Sequence, residues 1–265
     1  MLIVLVMHSL LTLSSHAFRA GKPRVNRLMI SRLLSNLEVK LGDVPLSASS
    51  STSSAAAIQS GSRDDYLFGN QSITFSDLGV LPSLSAALTK LDKPFATTIQ
   101  AATFDFILSG KDTVIAAETG SGKTLSYLIP ILHLLLEDNY RENVHYPSAV
   151  IVVPNKELSF QVLRMANEIL ERVEPDQRTI SIAAATSATG YWPYRVEESP
   201  NVLVCTPAFV GKFLRGPNIL DEDLFRSIRH FVLDEADMLL EGSYLTDIEK
   251  ILGTCGLLSL TYNLS

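Results

Sequence analysis

The run Ala117-Glu118-Thr119-Gly120-Ser121-Gly122-Lys123-Thr124 constrains this chain more than any other stretch. The apolar triplet Val114-Ile115-Ala116 precedes it, and an apolar run over residues 125–136 follows. Strand, glycine-rich turn, then a helix opening on Lys-Thr is the context of a phosphate-binding loop. Backbone N–H groups from Ala117 through Glu118, Thr119, Gly120, Ser121 and Gly122 would cradle phosphate. Lys123 would neutralise the outer phosphates and Thr124 would ligate Mg²⁺ through its hydroxyl. The plain pattern asks for Gly at position 117, and this chain has Ala117. A small side chain suffices there, because Gly120 and Gly122 supply the permissive backbone. The bland alternative is a Gly/Ser turn that binds nothing.

A second run stands 111 residues beyond Lys123 (234 − 123): Asp234-Glu235-Ala236-Asp237, after the apolar Phe231-Val232-Leu233. A strand there puts two carboxylates at its carboxyl end, where a metal ion and an attacking water must be held. Asp234 is expected to hold Mg²⁺ through water, and Glu235 to orient or deprotonate the attacking water. Lys123, Asp234 and Glu235 form the candidate catalytic set, with Thr124 and Asp234 on the metal. An acid-rich helix start favoured by the helix dipole is the alternative for the second run. Both runs in this order, each after an apolar strand, predict an ATPase with ATP and Mg²⁺ as cofactors.

Further residues carry a family resemblance. Thr97-Thr98-Ile99-Gln100, with Phe75 placed 25 residues before Gln100 (100 − 75), resembles the adenine-sensing Q motif of DEAD-box RNA helicases. Ala117 to Thr124 resembles their motif I, and Asp234 to Asp237 spells their motif II. Pro154-Asn155-Lys156-Glu157-Leu158 resembles motif Ia, usually P-T-R-E-L, and Thr206-Pro207 resembles the start of T-P-G-R. The resemblance covers roughly residues 70–250. It implies an α/β, RecA-like parallel sheet with helices on both faces, a P-loop NTPase fold; composition adds a disordered N-terminal extension before it. It implies ATP and RNA as partners, a monomer, and ATP-dependent unwinding of RNA duplexes by the full-length protein. RNA contact would fall to Pro154, Asn155, Lys156, Glu157, Thr206 and Pro207. Gln100 would read adenine, since one amide both donates and accepts. Phe75 would stack on the base, and Thr97 would assist Gln100 or cap a helix. Gln100 as a surface helix residue and Phe75 as a core aromatic remain the alternatives.

The chain departs from the family in places. Lys156 replaces the usual Arg and loses its planar two-bond fork. Ala208-Phe209 replaces Gly-Arg. Ser187-Ala188-Thr189 spells motif III but precedes motif II, so it reads as a loop. The family's site is shared between two RecA-like lobes, and the resemblance ends after motif II. The chain alone is therefore expected to bind ATP weakly and to lack turnover. The competing readings are a non-catalytic nucleotide- or RNA-binding product and another superfamily 2 P-loop ATPase, such as a DNA-dependent helicase.

Charge and composition sort the rest. Residues 1–37 hold Arg19, Lys22, Arg24, Arg27 and Arg32 and no acid, so the remainder carries 17 basic residues (22 − 5) against 28 acidic ones. An acidic body argues against indiscriminate binding to nucleic acid. Cys205 and Cys255 have neither disulfide nor zinc spacing, and Cys205 reads as a small core residue. His133 and His145 have no partner at metal-ligand spacing. Tyr191 and Trp192 read as loop anchors or as a base-stacking pair.

Six segments are expected. Residues 1–17 are signal-peptide-like, being apolar and closed by small residues, and 18–42 are transit-peptide-like, being basic and at first acid-free. Residues 43–72 form a Ser/Ala-rich linker that cannot bury a core. Residues 73–101 form the Q-motif region and 102–252 an incomplete RecA-like domain. Residues 253–265 form an atypical tail. The tandem leader predicts plastid import, with mitochondrion as the alternative and no stable membrane association after import.

Overall fold

The computed structural model describes residues 2–7, 39–41, 73–118, 120–137, 147–176, 180–186, 199–213, 228–241 and 243–254. Among these, seven strands form one sheet: β1 (Leu2–Met7), β2 (Val39–Leu41), β3 (Thr113–Ala117), β4 (Ala149–Val152), β5 (Ile182–Ala185), β6 (Val202–Cys205) and β7 (His230–Leu233). The helices are α1 (Pro82–Lys90), α2 (Thr98–Leu108), α3 (Lys123–Glu137), α4 (Lys156–Leu170), α5 (Pro207–Phe213), α6 (Ala236–Leu239) and α7 (Leu245–Thr254). The order across the sheet is β2-β3-β1-β7-β4-β6-β5.

The side-chain period of two explains the layers. Ile115, Ile151, Val202, Val204 and Val232 point to one face. There they meet Leu84, Phe104, Ile129 and Val162 from α1, α2, α3 and α4. Val114, Val150, Val152, Leu203, Cys205, Phe231 and Leu233 point to the other face and meet Phe209, Leu239 and Ile248 from α5, α6 and α7. Strands covered on both faces need apolar residues at both parities, which is why these read as unbroken apolar runs. This is the RecA-like α/β architecture that the motifs imply. Cys205 is fully buried, and burial pushes its thiol well above the usual range, so it serves as a core residue.

Parallel pairing holds for β2 with β3 and for β7, β4, β6 and β5. The exception is β1, which lies antiparallel between β3 and β7, with Leu5 opposite both Val114 and Leu233. The sequence alone predicts a signal-like leader for these residues. The run LIVLVM suits both roles, because an unbroken apolar hexapeptide is also what a strand inside a sheet requires. Removing a leader from this chain would take β1 out of the sheet. The other leader and linker expectations fall mostly on residues 8–38 and 42–72, outside the described residues. So do Ser187-Ala188-Thr189, Tyr191, Trp192, His145 and the tail beyond Thr254. Among the described residues, no helix is long and apolar enough to cross a membrane.

α2 and α3 pack closely, and polar groups join them where the backbone is deficient. Pro130 lies inside α3 and cannot donate to the carbonyl of Ser126, four residues back. The helix nonetheless continues. The hydroxyl of Thr103 on α2 reaches the Ser126 carbonyl at 3.3 Å, while also bonding Ile99 O at 2.8 Å. One turn further on, His133 accepts the Leu81 N–H at Nδ1 (3.2 Å) and meets the Phe104 ring edge-on at 5.5 Å. Leu81 is the N-cap of α1, so the imidazole satisfies an orphan donor of that helix.

Burial holds the His133 pKa below its ordinary value, against the opposing pull of Glu137. Below the ordinary value, the unfolded chain takes up this proton more readily than the folded one. His133 therefore costs stability as pH falls. Between about pH 7 and about pH 5, His133→Asn, which keeps an acceptor for Leu81, should lose less stability than the parent chain. Melting temperatures across that range check this; equal slopes would contradict it.

Candidate functional site

Parallel strands deliver their following loops to one edge. β3 ends at Ala117 and opens into the glycine-rich turn, and β7 ends at Leu233 and opens into Asp234. β4 and β6, paired with Val152 opposite Cys205, deliver Pro154 and Thr206 to the same edge. Segments far apart in sequence thus converge on one rim.

The turn is built as its composition requires. Gly120 has φ +85° and Gly122 φ +91°, the left-handed region that glycine occupies without cost. Gly122 has a second reason to lack a side chain, since a Cβ there would collide with the Gln100 amide. The Ser121 hydroxyl donates to Glu118 O at 2.8 Å and tightens the turn. Thr119 lies outside the described residues. Lys123 is only 7 % exposed. Its ammonium folds back on the loop and donates to Ala117 O (2.9 Å) and Glu118 O (2.6 Å). Desolvation lowers its pKa, and the nearby charges of Glu235, Asp234, Asp237 and Glu118 oppose that shift.

The acidic run faces this lysine. Asp234 is buried, and burial raises its pKa against the Tyr127 hydroxyl, the Glu235 N–H and the Lys123 charge. Tyr127 Oη donates to Asp234 Oδ2 at 2.8 Å, and Glu235 N–H donates to Oδ1 at 3.0 Å. Glu235 is pushed up too, first by desolvation, then by repulsion from Asp234 and Asp237, with Lys123 opposing. Its backbone adopts φ +57°, ψ +46°, a left-handed conformation that costs a side-chain-bearing residue about 1–2 kcal/mol. Strain of this kind persists where the surroundings over-determine it, and often at sites of chemistry.

The predicted adenine-reading residues occupy different ground. Gln100 is 5 % exposed and forms a capping box with Thr97: Thr97 N–H donates to Gln100 Oε1 (2.9 Å), and Gln100 N–H to Thr97 Oγ1 (3.4 Å). Gln100 Nε2 donates to Gly122 O at 3.1 Å, tying the start of α2 to the phosphate loop. Gln100 is thus no surface residue; one bond of each amide group is already made inside the chain. Phe75 is 2 % exposed within the core, the alternative left open for it, and its ring is not presented for stacking in this arrangement.

The candidate RNA residues divide in the same way. Lys156 and Glu157 are exposed, whereas Pro154, Thr206 and Pro207 are buried. Among the described residues, Thr206 Oγ1 has no hydrogen-bond partner. Asn155 is the N-cap of α4, its side chain accepting Leu158 N–H at 2.9 Å. Sequence reasoning missed two residues. Phe160 is 47 % exposed with Lys156 Nζ 5.6 Å from its ring centre, and the i, i+4 spacing could have shown the pair. Tyr127 disappeared into an apolar helix run, and only the fold brings it to Asp234.

The oxygen donors suit magnesium. Among the described residues no three His, Cys, Asp or Glu side chains gather into a metal cage. Magnesium is commonly bound by one or two carboxylates together with substrate phosphates, and Asp234 with the Thr124 hydroxyl supplies such a partial set.

Comparison with known proteins settles the family. A model described as DEAD/DEAH box helicase matches residues 97–263, more than half of the chain. The chain belongs to the DEAD/DEAH box helicase family. DEAD-box ATP-dependent RNA helicase 16 of Arabidopsis thaliana is 35% identical over 181 residues, covering 67% of this chain and 28% of the relative. ATP-dependent RNA helicase dbp9 of Schizosaccharomyces pombe is 34% identical over 180 residues, covering 67% of this chain and 29% of the relative. The chain thus spans less than a third of the length of these two helicases. Among solved structures, Mss116p bound to ssRNA and AMP-PNP aligns with TM-score 0.57 at 26% identity, over 71% of this chain and 38% of that one. The DEAD-box run therefore sits on a fold shared with a structure of that family.

The left-handed backbone at Glu235 gives this helicase-family site a stability signature. Glu235→Gly should be more stable than Glu235→Ala by about 1 kcal/mol, since only glycine relieves the strain. Urea denaturation of the two variants measures this. Equal midpoints would mean that the residue is not held left-handed in solution.

Proposed function

We propose that this chain carries the magnesium-nucleotide site of an ATP-dependent RNA helicase of the DEAD-box type. In the whole protein, ATP hydrolysis would be coupled to unwinding of RNA duplexes. The observation that carries the reading is the convergence of Lys123 with Asp234 and Glu235 at the carboxyl edge of one sheet, in a chain of this family.

In this reading the turn from Ala117 to Thr124 takes the phosphates, and Lys123 exchanges its two carbonyl partners for phosphate oxygens. Thr124 and Asp234 hold Mg²⁺, which supplies charge neutralisation on the phosphate oxygens when bound. Glu235 takes the place of a base or orienting group for water, and its raised pKa suits proton acceptance nearer neutrality. Gln100 recognises adenine with the donor and acceptor capacity left after its two internal bonds, each amide group being able to make more than one. Its tie to Gly122 O would link base recognition to the shape of the phosphate loop.

RNA would lie across the rim beside α4. Lys156 offers a phosphate contact and Phe160 a stacking face, an arrangement that tolerates any base. The two relatives are named as RNA helicases and the aligned Mss116p structure holds ssRNA, which supports the same assignment here. Plastid import, with its alternative in the mitochondrion, rests on the make-up of residues 1–42 alone.

Calorimetric titration of the full chain with Mg–ADP, and fluorescence titration with labelled single-stranded RNA, test the proposal together. Lys123→Ala should weaken ADP binding at least tenfold, about 1.4 kcal/mol. Phe160→Ala should leave ADP binding intact and weaken RNA binding by about 1 kcal/mol. ADP affinity indifferent to Lys123 would reject the nucleotide site; RNA affinity indifferent to Phe160 would reject the α4 face.

A further inference from the structure

Tyr127 is completely buried, and its ring packs in the core among the α3 residues Leu128 and Ile131. The core needs only the ring. A hydroxyl there brings a desolvation cost that is recovered only through good partners. Its partner is the carboxylate of the acidic run: Tyr127 Oη donates to Asp234 Oδ2 at 2.8 Å, across 107 residues of sequence. Thr124 stands one turn earlier on the same helix. Asp234 and Thr124 are the two residues assigned to magnesium.

We propose that Tyr127 is the positioning residue of the magnesium site, a phenol that holds the Asp234 carboxylate and presets it for the ion. The inference rests on the nucleotide-site reading given above. The phenol has one proton, and that proton goes to Asp234. On Asp234, the phenol fixes Oδ2 while the Glu235 N–H fixes Oδ1, so the carboxylate cannot rotate freely. The Tyr127–Asp234 bond connects the helix that opens from the glycine-rich turn to the acidic run, even though β1 separates their parent strands. Groups that orient metal ligands in this way typically contribute a factor of about 10–100 in metal affinity.

The test is ADP binding to the full chain at rising Mg²⁺, measured by calorimetry, with the same titration in EDTA as reference. Tyr127→Phe keeps the ring and removes only the hydroxyl. It should raise the Mg²⁺ concentration for half-saturation about tenfold and leave ADP affinity in EDTA unchanged. Because the phenol acts through Asp234, adding Tyr127→Phe to Asp234→Asn should cost less than it does in the parent chain. Tyr127→Leu, which also removes packing, should give a similar magnesium shift on top of a lowered melting temperature. A tyrosine with a merely structural role would lower the melting temperature and leave magnesium half-saturation untouched. That result, alongside a clear shift in Asp234→Asn, would overturn the inference while sparing the site. ADP affinity in the parent chain that ignores Mg²⁺ altogether would overturn both.

Discussion

Burying a carboxylate is costly unless donors or opposite charge compensate it, and Asp234 receives all of its visible compensation from residues this fold gathers. The phenol of Tyr127 comes from the helix after the glycine-rich turn. The Glu235 N–H comes from a residue held left-handed next to it. The charge of Lys123 comes from the end of that turn. If β3 and β7 did not project the same way from one sheet, neither the phenol nor the lysine would reach the carboxylate. The parallel sheet therefore does more than fill a core, because it makes a buried acid beside a buried lysine tolerable.

Polar repairs elsewhere serve the same end. α3 runs from the phosphate loop into the core while containing Pro130, and the Thr103 hydroxyl, whose one proton is shared with Ile99 O, stands beside the carbonyl that the proline leaves unserved. His133 caps α1 from the next turn of α3, and Gln100 joins the start of α2 to Gly122. α1, α2 and the phosphate loop are thus coupled through side-chain to backbone bonds. A rotation of Gln100 towards a ligand would be felt in the loop that holds phosphate.

Much of this was legible in the sequence because the signals were local. AETGSGKT and the DEAD run each follow an apolar strand, so their type and their placement at strand ends could be read together. Other features were not legible because one pattern serves two physical ends. LIVLVM has the make-up of a leader and of an internal strand, and the sequence carries no sign of antiparallel pairing. Thr97 and Gln100 fit a capping box as well as a base reader, and the structure shows the capping box formed. Phe75 carries no local mark separating a stacking platform from a core aromatic. Tyr127 looks like any apolar helix residue until α3 is laid against β7.

The central claim is that the glycine-rich turn and the DEAD run are two walls of one nucleotide site. Hydrogen exchange of the full chain, with and without Mg–ADP, tests it most directly. Amides of residues 120–124 and of residues 234–237 should slow together, at the same ADP concentration for half-effect, and both effects should vanish in Lys123→Ala. Protection of the turn alone, with the acidic run unchanged at saturating Mg–ADP, would contradict the account.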